Sequence, residues 1–191
     1  MCATNCKCAA TGPVAEALAA ALRRLGRSKP FESLTVREIA REAGVSTRTF
    51  YNRFRSKYDL VMKFYAWEDV ATLCRGRKGA PLPSFRDLVL AGLVRFGRDR
   101  AMFVGAFREI AGPESFCELL LAHSVCAVSD YAEQRNGNPL PPEAGPALRI
   151  YCAGVVRLVG EWLESPSPKS AAEFLEDVVS GMPAPLRPFL L

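Results

Sequence analysis

The sequence predicts an all-α protein, a three-helix helix-turn-helix head followed by a helical bundle, with about nine helices in total. Three observations lead there. Apolar residues recur at three- and four-residue spacing through most of the chain, and no segment shows the strict alternation of a strand. Helix-capping signatures stand close together in the first third. Connectors rich in Gly, Pro, Ser or basic residues, at 75–84, 136–142 and 165–168, cut the remainder into helix-length pieces.

Each element follows from its residues. Leu18, Leu22 and Leu25, flanked by alanines, predict an amphipathic helix over about 13–29, which Lys29-Pro30 ends because the residue before a proline avoids the helical region. Thr35-Val-Arg-Glu38 is a capping box. It opens a short helix to about Ala43, with Val36, Ile39, Ala40 and Ala43 on one face, and Gly44 supplies a left-handed C-cap. Ser46 is a good N-cap for a third helix, Thr47 to Phe54. Ser56-Lys-Tyr-Asp59 opens a longer one towards Leu73. Further helices are expected over 85–100, 102–111, 113–135, 142–164 and 169–180. The expected organisation is a flexible tail (1–12), a helix-turn-helix head (13–57), a helical body (58–182) and a C-terminal tail (183–191).

Composition narrows the function. The 191 residues are 49% hydrophobic and 24% charged, enough apolar material for a core and too much for a disordered chain. No uncharged apolar run approaches the roughly 18 residues of a membrane span. The first twelve residues lack the basic-then-apolar layout of a signal peptide, so a cytoplasmic location is expected. The net charge of +5 is unevenly placed. Residues 13–65 hold 11 basic and 5 acidic side chains, whereas 66–191 hold 13 and 15. A basic head on a slightly acidic body is the footprint of a polyanion binder.

Enzyme chemistry finds little to work with. One histidine precludes a multi-histidine metal centre, and no G-x-S-x-G, P-loop or dinucleotide fingerprint is present. Glu173, Glu176 and Asp177 read as a solvated helix face. His123 and Cys126 are three apart, but their apolar surroundings favour an inert thiol. The seven cysteines are odd in number and do not suggest a disulfide framework. Cys117, Cys126 and Cys152 read as small buried hydrophobes. Cys2, Cys6 and Cys8 are close enough to bind a soft metal or to sense oxidation, with Cys74 near the domain junction as a further thiol. They lack a nearby histidine and a structural zinc spacing. No catalytic residue, cofactor or metal is therefore assigned.

The segment from Thr35 to Phe54 has the layout helix, glycine-containing turn, helix. Ile39, Ala40, Val45, Phe50 and Phe54 can pack inward. The second helix then turns Thr47, Arg48, Thr49, Tyr51, Asn52 and Arg53 outward, with no acid among them. Arg suits guanine O6/N7, Asn suits adenine N6/N7, and Thr methyls suit thymine. Tyr51 and Thr49 suit phosphate oxygens.

Phe31 to Leu60, FESLTVREIAREAGVSTRTFYNRFRSKYDL, resembles the DNA-binding domain of the tetracycline-repressor (TetR) family. The matching positions include Thr35, Val36, Ile39, Ala40, Ala43, Gly44, Val45, Ser46, Thr49, Phe50, Tyr51, Phe54, Ser56, Lys57 and Leu60. Tyr58 stands where the family often has an acidic residue. The resemblance implies an all-α homodimeric transcription factor whose N-terminal helices bind a palindromic operator on double-stranded DNA. It also implies C-terminal helices that dimerise and often enclose a small-molecule effector, most members being repressors that an inducer releases. Carried onto this sequence, Thr47, Arg48 and Asn52 are base readers. Thr35, Ser46, Thr49, Tyr51, Arg53 and Lys57 are phosphate or positioning contacts. The plainer alternatives are that Thr35 and Ser46 only cap helices and that Arg53 is a solvated charge.

Tyr151 to Glu164 resembles the penultimate helix of some TetR-family members. It supplies Gly154, Leu158 and Trp162 to an expected dimer interface with Leu175 and Val179. An apolar or aromatic effector would be lined by Trp67, Phe85, Phe96, Met102, Phe103, Phe107, Phe116 and Tyr151, with His123 as a polar group. The competing reading for each is ordinary core. A second functional reading keeps the DNA-binding regulator but makes its signal thiol oxidation or metal at Cys2, Cys6 and Cys8.

Overall fold

The computed structural model describes residues 12–63, 82–108, 112 and 115–191. They are helical and contain no strand. The helices are α1 (Pro13–Gly26), α2 (Val36–Glu42), α3 (Thr47–Tyr51), α4 (Lys57–Val61), α5 (Phe85–Arg98), α6 (Arg100–Arg108), α7 (Phe116–Asn136), α8 (Ala144–Glu164), α9 (Ala171–Ser180) and α10 (Arg187–Leu190). Short 3-10 turns at Phe31–Ser33 and Ala184–Leu186 precede α2 and α10. Trp67, the cysteines at 2, 6, 8 and 74, most of the 75–84 loop and the expected course of the fourth helix to Leu73 lie outside the described residues.

The chain forms two compact units. The first holds α1 to α4 and also residues 99–119, so α6 belongs with the head-side helices. Its core is Leu18, Leu22, Phe31, Leu34, Ile39, Phe50, Phe54, Leu60 and Phe103, each essentially inaccessible to solvent. The α2–α3 turn closes as the sequence implies. Gly44 has φ of +71°, the Val45 amide donates to Ala40 O at 2.9 Å, and the Gly44 amide donates to Arg41 O at 3.1 Å. That pair of bonds is a Schellman cap. At a second glycine the constraint is space. A Cβ on Gly105 would stand 2.8 Å from the Phe31 Cβ, so α6 approaches the Phe31–Ser33 turn only because this residue has no side chain.

The second unit holds α5, α7 from Leu120 onward and α8 to α10, with α5 against α9 and α8 against the Ala184–Leu186 turn. Trp162 stacks on Phe174 with ring centroids 5.1 Å apart, and its Nε1–H donates to Lys169 O at 2.7 Å. The Tyr151 hydroxyl donates to Val178 O at 2.8 Å, tying α8 to α9. Arg86 and Glu176 pair between α5 and α9. The expected C-terminal tail is a folded element. Leu186 and Leu190 are fully buried, Asn136 donates to Phe189 O at 3.0 Å, and Arg135 donates to Leu191 O at 2.7 Å. Its alternation of proline with leucine hides a helical period too short to read from sequence.

Truncating Leu186 to Ala removes a side chain with no solvent contact. It should cost about 2–5 kcal/mol, the usual range for a closed leucine site. A lower urea midpoint with the far-ultraviolet helical signal retained before the transition checks this. An unchanged midpoint would mean that the last nine residues do not contribute to the core.

Candidate nucleic-acid interface

The interface is built on α2 and α3. The capping box at Thr35 is complete: its Oγ1 accepts from the Glu38 amide at 3.2 Å, and its own amide donates to Glu38 Oε2 at 3.0 Å. Lys29 adds an ion pair to Glu38 Oε1 at 2.6 Å. Ser46 caps α3, accepting from the Thr49 amide at 3.0 Å, and its hydroxyl lies 2.8 Å from that of Thr49. With the N-termini of both helices satisfied, Phe50 and Phe54 are free to turn inward, their centroids 5.6 Å apart.

Burying Phe50 fixes what faces outward. Thr47, Arg48, Tyr51, Asn52 and Arg53 are all exposed, Tyr51 by 59%. The Tyr51 ring meets the buried Phe50 edge-on, with centroids 5.4 Å apart, and is otherwise open beside two arginines and an asparagine. Thr35 and Ser46 are exposed at the helix starts and Thr49 is half-buried, so their caps coexist with access from outside.

Charge pairing sharpens the picture. Arg24 pairs with Glu42 at 2.7 Å, Lys29 with Glu38, and Lys63 with Asp59 at 3.0 Å. The side chains of Arg27, Arg37, Arg41, Arg48, Arg53 and Arg55 are exposed and make no ion pair or hydrogen bond among the described residues. Most of the head's acids are thus neutralised internally while six guanidiniums remain open to an external anion. Arg27, Arg37, Arg41 and Arg55 were not singled out from sequence. The charge count carried their signal, but only pairing in space separates a free arginine from one already used.

One expected contact is corrected. Lys57 was assigned to phosphate, but its Nζ donates to Phe31 O, Glu32 O and Leu34 O, each at 3.1 Å. An ammonium has three N–H bonds, and all three are used here. The charge also lies 4.7 Å from the centre of the Phe31 ring. Lys57 fastens α4 to the turn before α2.

The expected effector residues divide between the two units. Met102, Phe103, Phe107 and Phe116 fall in the first; Phe85, Phe96, His123 and Tyr151 fall in the second. Phe103 and Phe116 are fully buried with centroids 5.8 Å apart, and Phe85 packs on Tyr131 at 5.9 Å. These serve as core. Tyr151 is committed to Val178 O. Phe107 and His123 are only half-buried. Burial pushes the His123 imidazole down to about 4, so it is neutral near pH 7. Burial also pushes the Cys152 thiol up to about 12. For the expected dimer face, Gly154 and Leu158 are exposed and Val179 is half-buried. Trp162 and Leu175 are buried inside their own unit, because Trp162 stacks on Phe174 and α9 turns Leu175 inward. They brace that face from beneath.

Residues 18–62 match the family described as bacterial regulatory proteins, tetR family. Over those residues the chain carries a TetR-family domain. Its helix-turn-helix is therefore a DNA-binding module of a transcription regulator. Among solved structures, the chain is similar to the dihydroxyacetone kinase operon activator DhaS. Identity there is 16%, with 93% of this chain and 98% of that chain covered at a TM-score of 0.60. It also matches the fatty acid degradation regulator FadR from Bacillus halodurans, at 16% identity, 89% and 94% coverage and a TM-score of 0.49. A search of curated proteins finds no match. The first likeness shows that the two chains share one fold over nearly their whole length. No helix among the described residues is long and apolar enough to cross a membrane.

Two outcomes follow. Lys57→Ala should destabilise the head by about 1.5–3 kcal/mol, the worth of charged hydrogen bonds to backbone. It should leave the salt dependence of DNA binding unchanged; a slope reduced by about one would restore Lys57 as a phosphate contact. The second concerns pH. The hydrogen bond from Lys29, then those from Thr35, hold the Glu38 carboxyl down at about 2 against an ordinary 4.5. The folded head therefore binds this proton more weakly than the unfolded chain. The stabilisation is present above pH 4.5 and is lost as pH falls towards about 2. Urea midpoints measured across that window should fall less steeply for Glu38→Gln than for the parent; parallel curves would show that the cap does not respond to this proton.

Proposed function

We propose that the protein is a cytoplasmic homodimeric repressor whose two heads bind a palindromic operator and which a small apolar or aromatic effector releases. The head takes residues 13–57, the dimerisation and effector body 58–182, and 183–191 close that body. The observation that carries the reading is the outward face of α3. Thr47, Arg48 and Asn52 are exposed on a helix whose opposite face is buried, and the surrounding arginines are open to phosphate. Thr47, Arg48 and Asn52 read base edges. Thr35, Ser46, Thr49, Tyr51 and Arg53 position the backbone, joined by Arg37, Arg41 and Arg55.

Dimerisation is supported by α8. Ile150, Gly154 and Leu158 follow one another at four-residue spacing, and Ile150 is 73% and Leu158 43% exposed. They form an apolar line on the side of the helix away from the buried Cys152, Val156 and Val159. Gly154 has no neighbour within 4 Å of where a Cβ would stand, so a second helix has room to approach. One head reads only a few base pairs, and two heads a helical turn or more apart supply the specificity that a regulator needs. The neutral His123 supports an uncharged effector, since it offers no charge to pair with an ionic one.

Arg48→Ala should weaken binding to a duplex selected from random sequence by about 1–3 kcal/mol while leaving random DNA nearly unchanged. Equal losses on both would make Arg48 a backbone contact. For the dimer, Ile150→Glu should halve the mass seen by sedimentation equilibrium and abolish high-affinity operator binding. A variant that keeps the parent's mass would remove α8 from the interface.

A further inference from the structure

The α3 helix is followed by three residues, Arg53, Phe54 and Arg55, that α4 grips from one side. The Asp59 carboxylate, only 4% exposed, accepts from the Arg55 amide at 2.9 Å. Lys63 pairs with that same Asp59 oxygen at 3.0 Å and donates to Arg53 O at 3.3 Å. Its ammonium also lies 5.4 Å from the centre of the Phe54 ring. One part-buried ion pair thus holds the amide of residue 55, the carbonyl of residue 53 and the ring of residue 54. The Asp59 amide in turn donates to Ser56 Oγ at 3.1 Å, which fixes the start of α4 beneath the pair.

We infer that Asp59 and Lys63 are positioning residues for sequence reading: their ion pair sets the angle at which α3 presents Thr47, Arg48 and Asn52 to the base edges. Helix α3 is five residues long and cannot hold its own direction. Its N-terminus is set by the Ser46 cap and its inner face by Phe50, which leaves rotation about the Phe50 contact to be fixed at the C-terminal end. Asp59 is buried, and two of the three Lys63 N–H bonds are engaged by a carboxylate and a carbonyl. Base contacts tolerate small displacements poorly, whereas contacts to a repeating backbone tolerate them well. Loosening this clasp therefore costs specific binding more than non-specific binding. The inference rests on α3 being the base-reading face.

The test compares Lys63→Met, Lys63→Arg and Arg48→Ala in the full-length protein, on a selected duplex and on random duplex DNA at one salt concentration. Lys63→Met keeps the chain's length and removes the charge. It should lower affinity for the selected duplex by about tenfold, the size of one lost base contact, and affinity for random DNA by less than about twofold. Lys63→Arg should restore the parent's ratio of specific to random binding. Equal losses on both duplexes would make Lys63 a phosphate contact and overturn the inference. So would a lower melting temperature with both affinities intact, which would leave the pair a purely structural one. Should Lys63→Met fail to fold, Asp59→Asn keeps an acceptor for the Arg55 amide while removing the charge, and the same ratio decides. Loss of specificity in Arg48→Ala alongside none in Lys63→Met refutes the clasp and spares the reading face. No loss in either refutes the reading face itself.

Discussion

The burial of Phe50 is the constraint on which the head depends. A helix as short as Thr47–Tyr51 has no stability of its own in water, since nucleation costs more than one turn returns. It exists because one aromatic side chain is withdrawn completely from solvent among the core residues of α1, α2 and α4. The rest is geometric consequence. With Phe50 inside, successive turns of the helix place Thr47, Arg48, Tyr51 and Asn52 outside, and a polar surface without acids is what a DNA groove meets. The Ser46 cap at one end and the Asp59–Lys63 pair at the other keep this small element from fraying.

Electrostatics in the head divides into two jobs. Some charges are internal fasteners: Lys29 with Glu38 across the first cap, Arg24 with Glu42 between α1 and α2, and Lys57 on three carbonyls. Others, including Arg37, Arg41 and Arg55, are left open. The internal pairs are mostly at the surface, where each contributes little energy by itself. Their larger effect is to neutralise the acids, so that the field above α3 is positive and draws a phosphate backbone inward.

Much of this was legible in the residues. The capping box at Thr35, the N-cap at Ser46, the glycine at 44 and the inward set around Phe50 all act locally, within one or two turns. Local chemistry is what a sequence pattern records. What the sequence did not show has an opposite cause. Lys57 looked like a phosphate contact because its partners, the carbonyls of Phe31, Glu32 and Leu34, lie more than twenty residues away and carry no side-chain signature. Trp162 and Leu175 looked like interface residues because an apolar side chain at helical spacing does not declare which of two apolar faces it serves. Phe103 and Phe116 looked like pocket lining for the same reason. The free arginines could be counted but not sorted, since pairing is a property of the fold.

The central claim is that two copies of the α3 face read DNA together. Selecting duplexes from a random pool with the purified protein, at near-physiological salt, tests it most directly. The expected result is one enriched motif with two-fold symmetry, its half-sites separated by about one turn of the double helix or a multiple of it. Enrichment of a single unpaired half-site would contradict the dimer, and binding without enrichment of any sequence would contradict the reading face itself.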